Sequence, residues 1–283
     1  MSNRSLQIFK KGSVISGGAA KDTPRAGPRG SKWWKTLLYM CLIVSSAAYV
    51  TNQNSDATAV VATKKELPIY CTEQREKVIA ISFDASWGAD KTIPILDILD
   101  QYQVKTTFFL VGNWVERYPE MVQEIARRGH EIGNHSDTHA HMNKLTEDGI
   151  RKELKMMSDR VEKLIGIRPT LFRPPYGEYN DRVISVARSE GYEAVQWSID
   201  SLDWKDRGTQ DIIKQCTQRV ENGDIVLFHN DSNDIVNALP GVIQHYQALD
   251  FKIIPVSEIL LNAPYTIDVQ GKQHPIPTTQ PKH

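Results

Sequence analysis

Cysteine is scarce in this chain of 283 residues: Cys41, Cys71 and Cys216 are its only three. That excludes a disulfide-dense scaffold and any four-cysteine zinc module. Charge of one sign is not in excess either. Lys+Arg and Asp+Glu are both 34, the formal net charge is +0 and the sequence pI is about 7.1. A dedicated nucleic-acid binder is basic overall, so no nucleic-acid partner is expected. No Gly-x-Gly-x-x-Gly follows the first strand candidate, which leaves a dinucleotide site without support. Hydrophobic residues at 40% and charged residues at 24% suffice for a folded core. The length allows one large domain with extensions, or two domains.

The neutrality is a cancellation. Residues 1–35 hold eight basic side chains and one acid, a charge of +7, and the remaining 26 bases and 33 acids carry −7. The basic arm, 1–32, is rich in Gly and Pro and is expected to stay unfolded. The next stretch, 33–52, begins WWKTLLYMCLIVSSAAYV, and no charge occurs between Thr36 and Ser55. At 1.5 Å per residue such a run spans a bilayer core of roughly 30 Å. Trp33 and Trp34 stand where interfacial anchors belong, and the preceding bases predict an inside N-terminus with the acidic body outside. A cleaved signal peptide is the alternative, with Ala57-Thr58-Ala59 as its cleavage site. Residues 53–66 read as a polar linker, 67–263 as the folded body and 264–283 as a proline-containing tail that frays.

Within the body, β-rich runs alternate with amphipathic ones. The strand candidates are 77–83, 105–111, 130–135, 170–175, 192–197, 224–229 and 251–256. Between them lie helical patterns at 119–129 and 145–166, the latter with Ile150, Leu154, Met157, Val161 and Leu164 on one face. Gly129, Gly166, Gly191 and Gly223 fall near helix ends. Seven such units predict an α/β fold, an incomplete (β/α) barrel of about seven parallel strands; an open doubly wound sheet is the alternative.

Polar residues that strands do not need cluster just past the strands' C-terminal ends, the rim where such barrels place their sites. Asp84, His135, His139, Arg173, Asp200, Asp203, Trp204 and His229 all fall there. His135 and His139, four residues apart, suit a zinc-class metal with His141 nearby, or else are two solvated loop histidines. Asp84 follows the apolar run IAISF, so burial is expected to raise its pKa as a general base requires; capping the next turn is its other use. His229 is either a proton-transfer group or a satisfied core histidine. Arg173-Pro-Pro-Tyr-Gly177 is a rigid turn that holds a backbone N–H in place for an oxyanion, or a plain loop. Trp204 offers a flat face to a sugar ring or covers a barrel end.

These segments, in this order, resemble the polysaccharide deacetylases of carbohydrate esterase family four, the NodB homology domain. The resemblance covers about residues 76–262 and rests on SFDASWG (82–88), HSDTH (135–139), RPPYG (173–177), DSLDW (200–204) and LFH (227–229). SFDxSWG together with the basic-arm anchor looks most like the membrane-anchored branch of spore-forming bacteria. The resemblance implies metal-dependent removal of N-acetyl groups from a glycan, peptidoglycan or a chitooligosaccharide-like chain, in cell-wall or spore-wall modification. It implies Asp84 as general base, His135 and His139 as metal ligands, and His229 as the acid that protonates the leaving amine. The Tyr176 N–H would bind the oxyanion, Arg173 orient Asp84, and Asp203 tune His229. Trp87, Pro175 and Trp204 would line the groove.

One position departs from the family pattern. The first motif usually has two adjacent aspartates, base then metal ligand, and here the second is Ala85. Catalytic zinc normally has three protein ligands, so zinc, or manganese or cobalt, is expected to bind more weakly than in the family at large. Two readings follow: an anchored extracytoplasmic deacetylase, and a catalytically weak or inactive protein of the same fold that binds cell-wall glycan. Outside the cytoplasm Cys71 and Cys216 would also be free to pair, which the sequence leaves open.

Overall fold

The run VIAISFDA is β2 (Val78–Ala85), and every one of its eight residues is buried. A strand covered on both faces cannot alternate apolar and polar residues, which is why its sequence is nearly continuous in hydrophobes. The computed structural model describes residues 33–53, 65–262 and 264–276.

Around β2 the sheet is parallel throughout. On one side follow β3 (Thr107–Leu110), β4 (Glu131–Asn134), β5 (Leu171–Phe172) and β6 (Glu193–Ala194). On the other lie β8 (Ile225–His229) and β7 (Ile199–Asp200), while β9 (Lys252–Ile254) pairs with the first residues of β2. The two edge strands, β6 and β7, are consecutive in the chain. Five residue steps from Ala194 to Ile199 span at most about 18 Å, so the sheet must curl until its edges approach. The result is the incomplete barrel, and the open doubly wound alternative is excluded.

Helices cover the outside: α2 (Thr92–Gln101), α3 (Gly112–Arg117), α4 (Pro119–Arg127), α5 (Glu147–Ile165), α6 (Asp181–Ser189), α7 (Thr209–Thr217), α8 (Ile235–Ala248) and α9 (Val256–Ile259). In α5 the predicted stripe faces inward, with Ile150, Leu154, Met157 and Val161 buried. Thr146 caps that helix by accepting from the Gly149 N–H, and Gly166 ends it at φ 74°.

The tail expectation needs correction. β10 (Tyr265–Ile267) and β11 (Lys272–Pro275) form a small sheet with β1 (Cys71–Thr72), so residues 265–275 are tied to the body. Backbone pairing and the buried Gln273 side chain, which bonds both main-chain groups of Leu261, hold what composition alone marks as frayed. Cys71 and Cys216 are both free thiols.

Residues 33–53 form α1 (Trp33–Gln53), a unit separate from the body. Among the described residues no helix is long and apolar enough to cross a membrane. The basic arm, most of the linker and the last seven residues lie outside the described residues, as do the side chains of Trp34 and of 45–53.

Candidate active site

Because every strand of the barrel runs the same way, the C-terminal ends of β2, β4, β5, β7 and β8 open onto one rim. A pocket of about 720 Å³ lies there, lined by Asp84, His135, His139, Tyr176, Trp204 and His229 among others. Six candidates from five separate segments thus share one cavity.

Asp84 is the last residue but one of β2 and is only 5% exposed. Its Oδ1 accepts from Arg173 Nη1 at 2.8 Å. Arg173 is itself 0% exposed. Its Nη2 donates to Ser82 Oγ at 2.9 Å and to the Gln196 carbonyl at 3.0 Å, and its guanidinium lies 4.1 Å from the Phe109 ring centre. These contacts hold the arginine beneath the carboxylate rather than in the pocket. Burial pushes the Asp84 carboxyl up, but His135, Arg173 and His229 together outweigh it, so its pKa lies below the usual carboxylate value. The expectation of a raised value is therefore corrected: the sequence shows the apolar run around Asp84 but not the cation delivered from β5.

His135 Nδ1 lies 2.7 Å from the Arg173 carbonyl. A carbonyl only accepts, so Nδ1 carries the proton and the Nε2 lone pair is left free. That nitrogen points toward Asp84 Oδ2 at 3.4 Å. Burial depresses the pKa of His135 and lowers that of His139 to about 4, so both imidazoles are neutral at pH 7. Their ring centres are 5.1 Å apart, and His139 Nδ1 is buried without a hydrogen-bond partner.

Two neutral imidazoles, one oriented by a backbone carbonyl, match what metal-binding histidines require. The third ligand is missing. Ala85, fully buried, presents a methyl group where the family pattern has a carboxylate, and no three His, Cys, Asp or Glu side chains among the described residues converge to hold a metal ion. The donor set does not fit a complete three-ligand centre.

His229 stands beside Asp84, since the two are directly paired across the β2–β8 ladder. Asp203 grips it twice, accepting from the His229 backbone N–H and from ring Nδ1, both at 2.8 Å. Asp203 is 1% exposed and sits in a tight turn flanked by Leu202 and Asp206, both at positive φ. Burial works against protonation of His229, yet the hydrogen bond and charge of Asp203, with Asp84 and Asp200 behind it, raise its pKa above the ordinary value.

Tyr176 adopts φ 60°, ψ 7° within the turn Pro175–Gly177. A left-handed tyrosine costs roughly 1–2 kcal/mol. Its ring is clasped between His139, edge-on at 4.4 Å, and His141, stacked at 4.5 Å. His141 in turn binds Glu178 at 2.9 Å. Trp87 and Trp204 line the pocket and are 65% and 55% exposed. Pro175 does not line it: it is buried under the turn, so its expected place in the groove is corrected to that of a support. Sequence reasoning missed Trp197, Asp206 and Asp231 as lining residues. Asp231 follows His229 by two positions and the same end-of-strand signal reaches it; Trp197 closes the strand candidate 192–197 but is not a polar residue, and Asp206 lies beyond the DSLDW segment.

Comparison with known proteins agrees with this geometry. The family model described as polysaccharide deacetylase matches residues 72–195. A peptidoglycan-N-acetylglucosamine deacetylase of Bacillus cereus is 35% identical over 190 residues, covering 65% of this chain and 89% of the relative. The chain belongs to the polysaccharide deacetylase family. Another relative in the family, the uncharacterized protein YlxY of Bacillus subtilis, is 32% identical over 193 residues, and the match covers 68% of this chain but only 60% of YlxY. Among solved structures of family members, wild-type BA3943 of Bacillus anthracis, described as a CE4 family pseudoenzyme, has a TM-score of 0.67 at 28% identity, covering 74% of this chain and 73% of that one.

Proposed function

We propose that this chain removes the N-acetyl group from an amino sugar of a cell-wall glycan of the peptidoglycan type. The observation that carries the reading is the pair Asp84 and His229, set side by side on adjacent strands and each backed by a buried ion-pair partner. Neither backing pair is needed by a protein that only binds.

The division of labour follows from the two environments. Asp84, kept ionised, accepts a proton from water as the water oxygen attacks the acetyl carbonyl carbon. His229, whose hold on its proton Asp203 strengthens, gives its ring proton to the nitrogen as the C–N bond breaks, releasing acetate and the free amine. The Tyr176 N–H, fixed by its turn, faces the developing oxyanion. Trp87 and Trp204 hold the sugar ring on apolar faces. His135 and His139 alone would hold zinc, manganese or cobalt more weakly than a three-ligand site.

A specific observation favours a second reading, a glycan-binding protein of the same fold with low or no turnover. Ala85 removes the third ligand, and BA3943 is described as a pseudoenzyme. Acetate release by the full-length chain from N-acetylglucosamine oligomers and peptidoglycan, with each metal supplied, separates the two. Release that His229→Ala and His135→Ala reduce by orders of magnitude supports hydrolysis. No release, with glycan binding intact in His229→Ala, supports the second reading.

The same proposal includes an anchor. The uncharged run of sequence from Thr36 to Ser55, which extends past the described side chains of α1, supports a single membrane span with the body outside the cytoplasm, as do the paired tryptophans and the basic arm, in a spore-former's wall-modifying branch. Carbonate extraction of membranes, with protease protection of the arm, tests it. A fully soluble chain overturns it.

A further inference from the structure

Beside the reaction pocket lies a second cavity of about 410 Å³, and the two share Ser86 and Trp87 as a common wall. The far wall is α3 with Tyr118. Trp87 touches His139 edge-on, ring centres 6.1 Å apart, and otherwise stands open to solvent as a partition between the cavities.

The two cavities differ in charge. Asp84, Asp200, Asp206 and Asp231 line the reaction pocket, and no lysine or arginine does so among the described residues. The second cavity holds Glu116 and Arg117. Arg160 pairs with Glu116 at 2.7 Å and with Asp137 at 2.8 Å, so it offsets the Glu116 charge only in part. Arg117 is exposed and pairs with no carboxylate among the described residues. Among the described residues it is the only arginine or lysine lining either cavity.

We infer that the second cavity is a subsite for a carboxylate carried by the sugar next to the one being deacetylated. The inference rests on the glycan reading above and deepens it. Of the two amino sugars that alternate in a peptidoglycan strand, N-acetylmuramic acid bears a 3-O-lactyl carboxylate and N-acetylglucosamine bears none. A carboxylate placed in the reaction pocket meets four others along its lining, of which only Asp84 has an arginine partner, and like charges repel. One sugar further along it meets a guanidinium whose planar donor fork matches a carboxylate. Trp87 supplies the apolar face between them. The sugar in the reaction pocket is therefore N-acetylglucosamine, and its muramic acid neighbour lies toward α3.

Calorimetric titration of the full-length chain tests this with four probes. They are chitotetraose, a peptide-free tetrasaccharide of alternating N-acetylglucosamine and N-acetylmuramic acid, the same oligomer with its lactyl groups amidated, and a stem-peptide-bearing oligomer. The free carboxylate is expected to tighten binding roughly two- to fivefold over the amide at low salt, the scale of an exposed ion pair. That gap should vanish in Arg117→Ala and in high salt, and survive in part in Arg117→Lys. Chitotetraose should bind Arg117→Ala and the natural chain alike, at unchanged thermal stability. A preference that persists in Arg117→Ala, no preference in the natural chain, or a preference confined to the peptide-bearing oligomer overturns the inference. Failure of all four to bind overturns the glycan reading instead.

Discussion

Arg173 meets Asp84 across 89 residues of sequence, with Nη1 2.8 Å from Oδ1 and both side chains shut away from solvent. The pair joins the end of β5 to the end of β2 and sets the charge of the carboxylate that the proposed chemistry uses. Burying two charges costs several kcal/mol each, so the pair survives on its geometry, in which Ser82 and the Gln196 carbonyl accept from Nη2, while the buried Nε–H has no partner.

Removing one partner should expose that cost. Arg173→Met leaves a buried, unpaired carboxylate and is expected to lower stability by about 3–5 kcal/mol. Urea unfolding of Arg173→Met against Arg173→Met/Asp84→Asn measures it, and the double variant should recover part of the loss. A single variant within about 1 kcal/mol of the natural chain contradicts the account.

His229 should titrate above 6.5, and its direction of linkage follows. Burial opposes the charged ring, but Asp203 and the carboxylates of Asp84 and Asp200 raise the folded pKa. The stabilisation from the His229–Asp203 pair is then fully present below pH 6.5 and is lost as pH rises through the folded value. Asp203→Asn should bring the His229 ring resonances to a lower midpoint in an NMR titration. An unchanged midpoint would show that Asp203 does not govern it.

Ala85→Asp should couple metal to folding. Ala85 is fully buried in the main apolar cluster, so an aspartate there is destabilising without a cation beside it. Since the family pattern joins a carboxylate at this position to the two histidines, zinc is expected to bind Ala85→Asp at least about tenfold more tightly than the natural chain, as even outer-sphere changes reach that scale. Thermal melts with and without zinc read this directly: zinc should raise the variant's midpoint far more than the natural chain's. Equal shifts would refute the claim that a carboxylate at position 85 completes the site.

Gly223 has a purely structural test. It sits at φ 88°, and a Cβ there would lie 1.9 Å from the Thr72 carbonyl oxygen. Thr72 N–H also donates to the Gly223 carbonyl at 3.0 Å, so neither backbone has room to yield. Gly223→Ala is expected to cost about 2–4 kcal/mol from the left-handed backbone and the overpacking together. Chemical denaturation checks it, and a loss under 1 kcal/mol would mean that β1 moves freely.

The parts of the fold readable beforehand share one property: their signal is local. Residues 78–85 are apolar because both faces of β2 are covered, and the α5 stripe recurs at helical spacing because one face is covered. β7, β10 and β11 carry no such mark, being two to four residues long and held by partners far away in the chain. In the site, Asp84, His135, His139 and His229 were legible as polar groups that end strands. Pro175 was misread because a turn residue's depth depends on what packs over it.

The amino-acid order by itself determined the parallel α/β architecture and the set of side chains delivered to one rim, since hydrophobic period and strand direction follow from local covalent geometry. Only the folded chain decided what those side chains are. Asp84 gives up its proton more readily because β5 brings Arg173 beneath it, and His229 holds its proton more tightly because a turn brings Asp203 behind it. His135 keeps its Nε2 lone pair because the Arg173 carbonyl accepts a hydrogen bond from Nδ1–H and so holds the ring's one proton there. Electrostatic free energy depends on distance and burial, and neither is a property of position along the chain.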